Sequence, residues 1–120
     1  MTFTLQTIRV PCADPEQSFD EPDAVVSGPF AVHQTRWSDG RKARAWTLTH
    51  LPSGRFVTQE ATSRKAAIRL AETLAPLLDW TVQDPHLIVN GDAALKPRVL
   101  SAIFAANEWE YPEAADARAV

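Results

Sequence analysis

Cysteine is almost absent: Cys12 is the one thiol in 120 residues. That excludes an intrachain disulfide framework and points to a reducing, cytoplasmic setting. Glycine is scarce too, and Gly28, Gly40, Gly54 and Gly91 stand far apart. Collagen-like chains, glycine-rich low complexity and a glycine-rich phosphate loop are therefore excluded, and each glycine reads as a turn. No apolar run approaches the ~20 residues a membrane-spanning helix needs. The amino terminus has neither a basic n-region nor an apolar h-region, so no secretory leader is expected. HExxH, GxSxG and CxxC are all missing. Cys12, His33, His50 and His86 do not fall at metal-ligand spacing, so no metal or cofactor is expected. Cys12 lies between Pro11 and Ala13, with no helix start to lower its pKa and make it a nucleophile. Glu108 and Glu110 flank Trp109 as ordinary surface carboxylates do. The expectation is a protein that is not an enzyme.

What the chain does have is apolar content, 45%, too much for a disordered segment. A single domain over 1–120 with one core is the expectation from its length. The net charge of −3 conceals a segregation. Residues 1–32 hold Arg9 against five acids, Asp14, Glu16, Asp20, Glu21 and Asp23. Residues 33–70 hold eight bases against Asp39 and Glu60, and residues 71–120 hold three bases against eight acids. A basic middle between acidic ends speaks about partners rather than fold. Either the three parts neutralise one another, or the middle is a binding face.

Periodicity supplies the elements. Residues 2–10 are β-branched and aromatic, and their alternation slips near Gln6–Ile8, a strand with a bulge. Residues 11–29 carry Pro11, Pro15, Pro22 and Pro29 with the five acids and read as an extended acidic loop. Phe30–Trp37 is a strand, Asp39-Gly40 a tight hairpin turn, and Ala43–Leu51 the return strand, a register that would pair Trp37 with Lys42 and His33 with Trp46. Pro52-Ser53-Gly54 turns into a further strand at 55–60. Ala67, Leu70, Ala71, Leu74 and Leu78 form one apolar stripe of a helix over about 62–78, capped by Thr62 or Ser63 and ended or kinked by Pro76. Trp80-Thr81-Val82 reads as a short strand, and Asp84-Pro85 as the start of a helical turn. A last helix over about 93–107 begins at Asp92 or Pro97 and buries Leu95, Val99, Ala102, Ile103 and Ala106. Trp109 and Tyr111 would fold back on the core, and 112–120 would fray. The expected fold is α+β: an antiparallel meander of about four strands packed by one main helix, with a second, carboxyl-terminal helix.

The basic segment is the candidate site. Arg36, Arg41, Lys42 and Arg44 surround the first hairpin turn, Arg55 lies beside the second, and Arg64, Lys65 and Arg69 stand on the main helix off its apolar stripe. Trp37 and Trp46 lie close in sequence, either to stack on bases or to fill the core. The stretch WTLTHLPSGRFVTQEATSRKAAIRLAETL, with Ser63-Arg64-Lys65 opening its helix, resembles the carboxyl half of the double-stranded-RNA-binding domain. That resemblance implies a nucleic-acid contact at the helix start. In small size, acidity and lack of a catalytic motif, the whole chain resembles short meander-plus-helix proteins of phages and mobile elements, some of them anti-CRISPR proteins and other host-defence inhibitors. This resemblance implies action by binding.

The leading expectation is a non-enzymatic inhibitor or adaptor that binds a protein or ribonucleoprotein partner through Trp37, Arg41, Lys42 and Arg44. Nucleic-acid binding through the eight bases of 36–69 is the alternative, and a small enzyme of unknown type comes third. Residues 1–32 and 71–120 are both acidic. They would repel a phosphate backbone, yet could themselves imitate one.

Overall fold

A computed structural model describes residues 1–10, 19–36 and 41–108. Five strands form one antiparallel sheet in sequence order: β1 (Thr4–Val10), β2 (Phe19–Ser27), β3 (Phe30–Arg36), β4 (Lys42–His50) and β5 (Arg55–Ala61). Three helices follow: α1 (Arg64–Leu74), α2 (Pro85–Asn90) and α3 (Leu95–Glu108). The α+β meander-plus-helix reading holds, with one strand more than the periodicity yields.

The added strand is β2, inside the segment read as an acidic loop. Its Ala24-Val25-Val26 run pairs with Thr4–Gln6 of β1, and Phe19–Glu21 pairs with Ile8–Val10. Between Gln6 and Ile8 β1 advances two residues while β2 advances three. The slip near Gln6–Ile8 is real, but the extra residue belongs to β2. Pro22, which cannot donate to a ladder, falls in that bulge, where a missing N–H is tolerated. Residues 11–18, and with them Cys12, lie outside the described residues. Ser27 pairs with Phe30, so Gly28 and Pro29 make the turn, and Gly28 takes φ 55°, the left-handed region that suits glycine.

Between β3 and β4 the register differs from expectation by one residue. Gln34, not His33, lies opposite Trp46; His33 faces Thr47; and Lys42 is opposite Arg36 rather than Trp37. An irregularity between Gln34 and Arg36 absorbs extra residues of β4. A one-residue shift exchanges the faces of the sheet. Here it aligns Val25, Val32 and Leu48 on one face, and Val26, Ala31 and Thr49 on the other.

The first of these faces carries the helices. Phe30, Val32, Leu48 and Ala61 pack against Ala67, Leu70, Ala71 and Leu74 of α1, joined by Trp80 and by Leu95, Val99 and Ala106. Trp46 is half-buried at the margin of this core rather than inside it. Ser63 caps α1, accepting from the Ala66 N–H at 3.0 Å. The helix ends at Leu74 with Ala75 as its cap, so Pro76 terminates it. Trp80-Thr81-Val82 forms no strand. Trp80 is instead buried in a turn, where its indole N–H donates at 2.7 Å to the Leu74 carbonyl, which also accepts from the Leu77 N–H at 2.9 Å. His50 accepts at Nδ1 from the Ser53 N–H and donates from Nε2 to the Trp80 carbonyl at 2.6 Å, tying β4 to that turn. Asp92 caps α3 by accepting from the Ala94 and Leu95 N–H groups, each at 3.0 Å. Pro97 sits in the first turn of α3, where no intrahelical N–H bond is required. Trp109, Tyr111 and the 112–120 tail lie outside the described residues.

Candidate partner-binding surface

Chain path decides which bases meet. β5 ends at Ala61, opposite Trp46 of β4. The start of α1 is therefore delivered to the end of the sheet that carries Arg36, Arg41, Lys42 and Arg44. Arg64 and Lys65 join them there. Arg69 is five residues further along α1, about 7 Å of helix rise. Arg55 is not part of the group: it pairs with His50 at the opposite end of β4. At roughly 3.4 Å per residue, that is about 27 Å from Lys42. Trp37 lies outside the described residues.

The acids of β2 neutralise much of this charge. Arg36 donates to Glu21 from Nε at 2.8 Å and from a terminal nitrogen at 3.2 Å, a two-point contact on a carboxylate only 1% exposed. This contact raises the already high pKa of Arg36. Lys42 lies 3.8 Å from Asp23, both exposed, and Arg9 lies 3.2 Å from Asp20. Arg41, Lys65 and Arg69 are each engaged as well. The segregated charges of the sequence thus partly cancel in space, through a strand that composition disguises as a loop.

What remains at this end is a basic–aromatic group. The Arg64 guanidinium lies over the Trp46 ring, 5.9 Å from its centroid. Arg44, exposed, precedes Trp46 by two residues in β4, the spacing that puts side chains on one side of a strand. Trp46 is thereby both a margin of the core and the floor of a surface patch. Its indole contributes a rigid apolar plane, and the Arg64 guanidinium contributes planar donors over it.

The other face of the sheet carries a buried polar ladder that the sequence reading missed. Thr35 and Thr47 share a hydroxyl hydrogen bond of 2.7 Å, and the Thr35 hydroxyl donates to the Gln59 carbonyl at 2.8 Å. That carbonyl lies in a bulge of β5 between the partners of Trp46 and Leu48. His33 is 3% exposed. Its Nδ1 faces the Gln34 carbonyl at 3.1 Å and so carries the proton, leaving Nε2 to accept from the Thr49 hydroxyl at 2.9 Å. A hydroxyl bonded to a neutral imidazole nitrogen is how an activated nucleophile is arranged. Thr49, however, is 3% exposed. The pair is closed to substrate and acts as a cross-strand tie. Its signal in the sequence was Thr47 and Thr49 alternating opposite His33 and Thr35, legible only once the register is known.

Burial, partly offset by the Gln34 carbonyl and by Glu21, holds the His33 pKa below its ordinary value. The unfolded chain therefore takes up a proton near pH 6.5 before the native state does, and stability falls as pH drops through that window. The loss approaches about 1.4 kcal/mol per pH unit and ends below the native pKa, where both states are protonated. Urea midpoints measured from pH 8 to pH 5 should show this slope, and His33→Gln should flatten it. An equal slope in His33→Gln would place the titration on another group.

Between α1 and α3, Ala66, Arg69, Leu70, Thr73, Ala102 and Ala105 line a cleft of about 70 Å³. A typical small-molecule site is several times larger, about 300–1,000 Å³. The cleft follows from close packing of alanine-rich helix faces. The candidate surface at Trp46 and Arg64 lies apart from this cleft lining.

No family model, curated protein or solved structure matches this chain. The stretch 46–74 forms strand, turn, strand and a helix capped by Ser63, but the meander is preceded by the β1–β2 hairpin rather than by a helix among the described residues.

Proposed function

We propose that this protein is a non-enzymatic binding module, an inhibitor or adaptor of the kind carried by phages and mobile elements. It engages a protein or ribonucleoprotein partner through the hairpin end of its sheet. The observation that carries this reading is the half-buried Trp46 with Arg64 over its ring, and exposed Arg44 two residues before it on β4. Tryptophan and arginine are the residues that most often dominate interfaces, and a prepositioned pair loses little entropy on docking. Trp37, Arg41 and Lys42 would extend the contact along the hairpin. Pairing of Arg9, Arg36 and Lys42 with Asp20, Glu21 and Asp23 favours a protein surface over a phosphate backbone.

The test is a pull-down from host extract, with and without nuclease, followed by kinetics on the captured partner. Arg44→Ala and Arg64→Ala should each speed dissociation about tenfold or more, while the folded state stays intact. Asp20→Ala, on an exposed pair, should change little. Arginine variants with unchanged kinetics would remove this surface from the account. Salt-sensitive micromolar binding to random duplex RNA or DNA, weakened alike for every sequence by Arg44→Glu, would make nucleic-acid binding the function instead.

A further inference from the structure

A second hydroxyl–imidazole pair stands at the far end of β4 from the Trp46 surface, in the turn that joins β4 to β5. The Ser53 hydroxyl lies 2.7 Å from His50 Nδ1. The Gly54 N–H closes this turn on the His50 carbonyl at 2.9 Å, and Gly54 takes φ 72°. The imidazole is fixed from its other side. Its Nε2 lies 2.6 Å from the Trp80 carbonyl, an atom that can only accept, so Nε2 carries the proton and Nδ1 is the basic nitrogen. The Trp80 ring meets the His50 ring edge-on, with centroids 6.0 Å apart, and both residues are buried. The base therefore has one tautomer and one orientation.

Two donors of Ser53 reach Nδ1, and the hydroxyl is the closer, 2.7 Å against 3.3 Å for the N–H. The hydroxyl oxygen itself accepts from the Arg55 N–H at 3.1 Å, a donor that steadies negative charge growing on that oxygen. Hydroxyl, base and a third group that orients the base are the parts of an activated serine. His33 and Thr49 share the first two parts, but Thr49 is 3% exposed and closed to any reagent. Ser53 is only partly buried, as are Leu51, Pro52 and Gly54 around it.

We propose that Ser53 is a nucleophile, with His50 as its general base, that takes an acyl group from an activated ester. The Ser53 oxygen attacks the ester carbonyl carbon while its proton passes to His50 Nδ1. The resulting imidazolium is held by the Trp80 carbonyl at Nε2. The tetrahedral adduct then expels the leaving oxygen, which takes the proton from Nδ1. One C–O bond forms and one breaks, and the products are acyl-Ser53 and the free alcohol or phenol. The inference goes beyond the binding reading and does not depend on it, because a chain acylated once does not have to turn over.

The test treats the full chain with p-nitrophenyl acetate and locates the acetyl groups by peptide mass spectrometry over time. Ser101, exposed on α3, is the internal control. Ser53 should be acetylated about 100-fold faster than Ser101, the lower end of what a positioned base supplies. In denaturing urea the two rates should converge, because the pair exists only in the fold. In heavy water the native Ser53 rate should fall, since a proton moves in the rate-limiting step. His50→Gln, which keeps a donor for the Trp80 carbonyl, should bring Ser53 down to the Ser101 rate with circular dichroism unchanged. Native Ser53 labelled no faster than Ser101 would overturn the proposal, whether or not the variant folds. A folded His50→Gln in which Ser53 stays fast would overturn the role of His50. Neither result bears on the Trp46 surface, whose variants are read with a captured partner.

Discussion

Arg36→Ala is expected to cost about 3–5 kcal/mol of folding stability, the usual penalty for breaking a buried ion pair from one side. Glu21 is 1% exposed and takes both of its Arg36 contacts through one carboxylate. Removing the guanidinium leaves that buried charge without its partner. Against a total of about 5–15 kcal/mol for a domain of this kind, the variant would be close to unfolding at ambient temperature. Replacing both partners, as in Glu21→Leu with Arg36→Met, should recover most of the loss, because the cost lies in the unpaired charge rather than in the absent pair. Urea unfolding of the two singles and the double measures this directly. A loss below about 1 kcal/mol in Arg36→Ala, the level of an exposed ion pair, would show that Glu21 is reached by solvent.

Leu74→Ala should be the costliest substitution among the aliphatic residues of α1, about 3–5 kcal/mol. Leu74 is fully buried at the last turn of α1, in the same cluster as Phe30, Leu48 and Trp80. Two circumstances place it at the upper end of the range. The Leu74 carbonyl is held by the Trp80 indole N–H, and Trp80 packs on Phe30 with ring centroids 5.2 Å apart. The surroundings are therefore pinned and cannot collapse into the space left behind, which adds a cavity term to the lost transfer energy. Ile68→Ala, at a partly buried position of the same helix, is the comparison and should cost clearly less. If Leu74→Ala and Ile68→Ala cost the same by urea unfolding, the α1–sheet contact is not the centre of the core.

Local chemistry made much of the fold legible. The stripe Ala67, Leu70, Ala71, Leu74 marks α1 because 3.6-residue periodicity is a property of neighbouring positions. Pro76 signals an end or a kink because proline interrupts the helical hydrogen bonds, and the structure shows an end, at Leu74. Asp92 is one of two starts legible for α3, with Pro97 the other, and its carboxylate is the one that accepts the N–H groups of the first turn. The acidic loop was the main misreading. Four prolines and five acids in 11–29 are a local signal against strand. What makes Phe19–Ser27 a strand is pairing with β1 and the bulge that accommodates Pro22, which no window of composition contains. The candidate site was half legible: the bases were visible as a group, but not that Arg55 leaves it and that β2 neutralises part of it.

The sequence by itself determined the α+β class, the order of its main elements apart from β2, and the apolar face that α1 turns to the sheet. Each depends on interactions within one turn or one strand, whose geometry is the same wherever the segment sits. Only the tertiary structure decided the register that separates the apolar face from the His33–Thr49 ladder, the burial of Glu21 beneath Arg36, and the stacking of Arg64 on Trp46. A shift of one residue between β3 and β4 would exchange the two faces of the sheet. The register observed is the one in which long-range packing and buried hydrogen bonds are satisfied together, and these are sums over residues far apart in the chain.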